Sequence, residues 1–190
     1  MLVTERESEQ VGRDGFTKML LERFSKAVSD AEDSLNNEQH QKAMALYYDA
    51  SQSADEMCQR FLTLLIKTSP SEAYKTILLE VLSWRLRYFT TQYDYHLAVA
   101  QTLTGLPRQE WIARLETILV LSQTLVDKLL PHLRNAEDPA LCGRIRPLLH
   151  DWIAGIRNLV AKLRTWNMAS AQASRVLEWA IDQGLDSSPC

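Results

Sequence analysis

The sequence predicts an all-α protein, a single helical bundle of five or six helices around one long central helix over about residues 70–104. Three observations carry this. Apolar residues recur at spacings of three and four from Gly15 to Gly184, the period of a helix with one buried face. No segment shows the strict alternation of a half-buried strand. The chain of 190 residues holds only six Gly and six Pro, few for a fold that turns as often as an all-β one.

Each element follows from its own residues. Phe16, Leu20, Phe24, Ala27, Ala31 and Leu35 form the first apolar stripe, with Lys18, Glu22, Lys26 and Asp33 off it, and Asn36-Asn37 as the stop. From about Glu38 to Ile66, the residues Ala43, Leu46, Ala50, Ala54, Met57, Phe61 and Leu64 repeat the rule, and three alanines there allow a neighbouring helix to approach closely. Ser69-Pro70-Ser71-Glu72 reads as a capping box with Pro70 at the first helical position. The helix it opens meets no breaker until Gly105 and Pro107. It carries two apolar stripes, one through Leu79, Leu82, Leu86, Phe89, Tyr93, Ala100 and Leu103, the other through Trp84, Tyr88, Tyr95 and Ala98. A helix apolar on two sides is packed on both, or docks something on one.

After Pro107, Trp111, Leu115, Ile118, Leu125 and Leu129 define a fourth helix, which Pro131 is expected to kink or stop. Residues 135–139 (NAEDP) read as a loop. Leu141, Ile145, Leu148, Trp152, Ile156, Leu159 and Leu163 define a fifth helix, with Pro147 splitting a short lead-in from the main segment. A short helix over about Ser170–Gln183 turns Val176, Trp179 and Ala180 inward and closes at Gly184. The expected organisation is a flexible acidic segment over 1–14, a bundle over 15–184 and a frayed tail over 185–190.

The formal charge of −3 leaves no basic footprint for nucleic acid. The charge is unevenly spread. Residues 1–60 hold twelve acidic against seven basic side chains, and residues 107–165 six against nine. The three cysteines, Cys58, Cys142 and Cys190, form no disulfide framework and no CxxC site; the first two fall in apolar segments, as reduced core residues of a cytoplasmic protein do. No apolar stretch of a secretory signal appears in residues 1–15, and the best apolar run, Ile118–Leu121, is far short of a membrane span.

The search for chemistry yields no catalytic and no metal site. His40, His96, His132 and His150 lack metal-ligand spacing, Asp30 and Asp33 have no second acidic motif to complete a cation site, and there is no nucleophile signature or phosphate loop. No cofactor is expected. The densest feature is the aromatic group Trp84, Tyr88, Phe89, Tyr93 and Tyr95 with Arg85 and Arg87. It fits core packing, a groove for a protein partner, or stacking on a single strand, for which two arginines are a weak footprint. Taken as a surface, Trp84, Arg85, Tyr88 and Tyr95 are the partner-binding residues.

Two segments carry local resemblances. Ala31–Ala54, with Ala43-x-x-Leu46-Tyr47-x-x-Ala50 at its centre, resembles a tetratricopeptide or MIT-type helical hairpin in a single copy. Glu72–Gly105, with Leu79-Glu80-Val81-Leu82, Tyr93-x-Tyr95, Ala98, Ala100 and Gly105, resembles a helix of TolC-type outer-membrane efflux channels. That resemblance implies a trimeric, envelope-located export duct, or a truncated or repurposed relative of one.

The function expected from the whole sequence is a non-enzymatic helical interaction module, an adaptor, chaperone or regulatory subunit, that binds a protein partner through its aromatic helix face. The chain has no membrane span in this reading, and homo-oligomers are compatible with it. The alternatives are the channel component and a helical enzyme or metal protein whose site is assembled across helices.

Overall fold

A computed structural model describes residues 15–70, 72–134 and 139–185; the side chains of Glu72, Leu133, Arg134 and residues 139–142, with Leu141 and Cys142 among them, are outside it. The described residues form an all-α structure with six helices and no strand. They are α1 (Gly15–Asn36), α2 (His40–Lys67), α3 (Glu72–Thr102), α4 (Gly105–Arg134), α5 (Pro139–Thr165) and α6 (Ala171–Asp182). Contacts group them into two compact units, one up to Thr91 and one from Gln92, and α3 contributes residues to each.

In the first unit, α1, α2 and the first part of α3 run up, down and up. The register of cross-helix pairs shows this. Arg23 pairs with Asp49 while Arg60 lies 4.7 Å over the ring of Phe16. Asp55 pairs with Arg85 at 3.2 Å while the Cys58 thiol points at the Val81 carbonyl. Between the helices lies one apolar cluster, with Leu20, Phe24 and Ala27 from α1, Ala50, Ala54, Met57, Cys58, Phe61 and Leu65 from α2, and Ile77 and Trp84 from α3. Phe16, expected on the buried stripe, is 44% exposed. Thr17 takes the buried position beside it.

The α1–α2 turn stops where Asn36-Asn37 suggested, by a Schellman geometry. The Gln39 amide donates to Ser34 at 2.8 Å and the Glu38 amide to Leu35 at 3.0 Å, with Glu38 in the left-handed region at φ 60°. The same pattern ends α5, with Asn167 at φ 53°, and α6, with Gly184 at φ 72°. Asn and Gly suit that conformation, and Glu does not.

The second unit packs the rest of α3 with α4, α5 and α6. Two polar links pin it. The buried Tyr93 hydroxyl donates to the Gly155 carbonyl at 2.7 Å. A β-carbon added at Gly155 would lie 3.4 Å from the Tyr93 ring, in van der Waals contact with it. The buried Trp152 indole N–H donates to Ser122 Oγ at 2.8 Å, and Ser122 passes its own proton to the Leu119 carbonyl at 2.9 Å. Ser170 caps α6 by accepting from the Ala173 amide, and its hydroxyl donates to Glu116 on α4.

Several boundaries differ from expectation. Helix α3 begins at Glu72, not Pro70, and the capping box expected between Ser69 and Glu72 rests on the Glu72 side chain, which lies outside the described residues, as does Ser71. Residues 1–14, 135–138 and 186–190 lie outside them too. Neither Pro131 nor Pro147 ends its helix. Each is exposed, and the carbonyls that lose a donor, those of Asp127 and Gly143, belong to exposed residues that water can reach. Leu185, assigned to the tail, is fully buried, and its amide donates to Ala180. Along α4, Leu115, Leu125 and Leu129 are buried as expected, whereas Ile112, Leu119, Ser122 and Val126 take the inward places expected of Trp111 and Ile118, which are half-buried. An apolar stripe passes over a serine, whereas the fold needs Ser122 inside to accept the Trp152 proton.

Two stability predictions follow from these details. Glu38→Gly relieves a left-handed glutamate and raises stability by about 0.5–1 kcal/mol in chemical denaturation. Ser122→Ala leaves the buried Trp152 N–H without its acceptor and lowers stability by roughly 1–3 kcal/mol. A variant as stable as the native chain would break the assignment of that bond.

Candidate functional site

The four residues expected to form a partner surface are not one surface. Trp84 is 5% exposed and fills the core of the first unit. Its ring meets Phe24 edge-on at 5.5 Å, and the Arg87 guanidinium lies 5.1 Å over it. Its place on the α3 seam facing α1 makes it a packing residue. Arg85 is half-buried: it pairs with Asp55 and sits 4.7 Å over Tyr88 and 5.1 Å over Phe89. Tyr88 is partly buried against the same core. These three residues hold α3 to its neighbours within the first unit.

Tyr95 belongs to the second unit and to a different group. Its ring meets His96 at 5.2 Å and Trp111 at 6.0 Å, both edge-on. His96 and Trp111 are 5.0 Å apart, and Arg114 lies 4.6 Å over Trp111 from the solvent side of α4. Tyr95, His96 and Trp111 are all half-buried, and Arg114 is exposed. The sequence places Trp111 on a core stripe and gives His96 and Arg114 no part in a surface, so three of the four are missed there. The signal available was Trp111 and Arg114 three apart, one helical turn, after a loop short enough to fold α4 back along α3.

The electrostatics of this cluster centre on His96. Its Nδ1 is 2.6 Å from the Gln92 carbonyl, which only accepts, so Nδ1 carries the proton in the neutral ring. Burial pushes its pKa down from 6.5; the Gln92 carbonyl works the other way, and Arg114 adds to the depression. The neutral imidazole is therefore the favoured form inside the aromatic group.

Elsewhere the described residues offer little chemistry. No group of three or more His, Cys, Asp or Glu is placed to hold a metal ion among them. Burial raises the Cys58 thiol pKa, which keeps it protonated and unreactive, and its hydrogen goes to the Val81 carbonyl at 3.7 Å. An open cleft of about 400 Å³ between α4 and α6 is lined by Glu116, Thr117, Val120 and Arg175, among others. The one carboxylate in its wall takes the Ser170 hydroxyl. No helix among the described residues is long and apolar enough to cross a membrane. No protein-family model, no curated protein and no solved structure matches the chain.

The His96 arrangement sets a pH dependence. Its native pKa lies below the unfolded value, so the unfolded chain binds the proton more readily. The stability this contributes is complete above about 6.5, is lost as pH falls from there toward the native value, and levels off below it. NMR titration of the ring is expected to give a pKa under 6.5 that rises in Arg114→Gln. A native value at or above 6.5 would remove the buried neutral imidazole from the picture.

Proposed function

We propose that the chain is a non-enzymatic helical interaction module, an adaptor, chaperone or regulatory subunit of the cytoplasm, that binds a protein partner through Tyr95, His96, Trp111 and Arg114. The observation that carries this reading is a half-buried Trp and Tyr gathered in one place with an exposed Arg. Those three residue types dominate the energetics of protein interfaces, because a large rigid ring or planar cation desolvates much area with few rotamers to freeze. Arg114 over Trp111 supplies a charged rim beside an apolar centre. The contact surface first read along Trp84, Arg85, Tyr88 and Tyr95 shifts accordingly, with Tyr95 its common member. A buried, protonated Cys58 thiol fits a reducing compartment.

The test immobilises the native chain, Arg114→Glu and the double variant Tyr95→Ser/Trp111→Ser, and challenges each with extract from the source cells. The native chain is expected to retain a protein in stoichiometric amount, and both variants to lose at least about tenfold of it. Circular dichroism checks that each variant is folded; Arg114→Glu, at an exposed position, keeps the test valid if the double variant is not. Equal retention by native chain and Arg114→Glu, or no retained protein at all, would refute the reading.

A further inference from the structure

A second surface lies on α5, independent of the aromatic cluster. One side of this helix is buried through Ile145, Leu148, Trp152, Ile156, Leu159 and Leu163. On the opposite side His150, Ala154, Arg157, Ala161 and Arg164 are all exposed. Their spacing is four, three, four and three. It gives one line along the helix, with a basic side chain every seventh residue and an alanine every seventh residue between. Pro147, also exposed, continues the alanine positions toward the N-terminus. Charge singles out the same helix. It holds five Lys and Arg against one acidic residue, Asp151, whereas each of the other five helices lies within one charge of neutral.

We propose that this face of α5 docks a helix of a partner protein that carries acidic residues along its seam. The argument is one of register. Seven residues span about 10 Å of helix, and a second helix crossing at a shallow angle repeats its own facing positions at the same interval. Small residues at Ala154 and Ala161 let the two backbones approach, with a larger apolar side chain of the partner filling each gap. His150, Arg157 and Arg164 then meet carboxylates one heptad apart.

Other occupants fit less well. A second copy of this face would set arginine against arginine, with Arg157 opposite itself in a two-fold pair. A membrane surface would want large apolar anchors among the cations, and among the described residues none of the exposed large hydrophobic side chains is on α5. A phosphate track needs the cations but has no use for alanines in register with them, and the chain's charge of −3 repels a polyanion at a distance.

The test uses the full chain and a synthetic helical peptide of about four heptads, with Leu at one seam position and Glu at the other. The native chain is expected to bind this peptide, and to bind it less tightly as salt is added. Arg157→Glu/Arg164→Glu is expected to weaken binding at least about tenfold. Ala154→Trp and Ala161→Trp, which block backbone approach and keep every charge, are each expected to weaken it at least about fivefold. Three results would overturn the proposal: no peptide binding by the native chain, unchanged binding by both tryptophan variants, or arginine-dependent binding of duplex DNA or anionic vesicles in place of the peptide. All altered positions are exposed, so folding of the variants is confirmed by circular dichroism and is not itself at stake. The aromatic-cluster variants leave this binding unchanged, which separates the two surfaces.

Discussion

The structure depends on the burial of α3. From Ile77 to Gln101 no residue of this helix is exposed. A helix covered to that degree answers polar side chains inside the fold. Thr90 and Thr91 return their hydroxyls to carbonyls three or four residues back. Tyr93 reaches across to Gly155, Arg85 to Asp55, and His96 folds onto Gln92. The aromatic group that looked like a surface motif is largely the consequence. Rings and guanidinium planes are how a helix with arginines and tyrosines on every side can still be covered, because each presents a flat apolar face along with its polar tip.

The two packing units answer this constraint in different ways. In the first, alanines at 27, 50 and 54 bring the helices close and a run of large apolar residues closes the core. Polar work is left to the surface pair Arg23–Asp49 and the half-buried pair Asp55–Arg85, exposed enough to contribute modestly. In the second, specific buried hydrogen bonds do the positioning. Trp152, Ser122 and the Leu119 carbonyl form a chain with one geometry, as do Tyr93 and Gly155. Such bonds cost more to break than they contribute when made, which fixes the register of helices whose apolar faces alone would tolerate several. The contact surfaces then fall on what is left half-buried or exposed: the rings at the α3–α4 corner, and the basic line of α5.

Much of this was legible in the residues. Helical period, the stops at Asn36-Asn37 and Gly184, the Ser170 start and the apolar face of α5 all came from short-range rules, because they concern bonds made within one or two turns of the chain. The errors share a cause. Trp111 and Ile118 were placed inward because both neighbouring stripes of α4 are apolar, and periodicity does not choose between two phases one residue apart. Ser122 was passed over because a serine is excluded from an apolar stripe, although its acceptor is what Trp152 requires. Trp84 stays open between core and surface in the sequence, since two apolar sides of one helix look alike until the neighbours are present.

By itself the sequence determined that this protein is all-α, where most of its helices start and stop, and that α3 is apolar on more than one side. Local hydrogen bonds, side-chain branching and turn chemistry decide those matters, and they are written in consecutive residues. Only the tertiary structure decided that Trp84 is core, that Tyr95 meets His96 and Trp111, and that His150, Arg157 and Arg164 line the exposed side of α5 while the other side is buried. Those outcomes depend on which helix face meets which neighbour. That choice is made by packing and by paired buried polar groups across tens of residues, so no local window of the chain contains it.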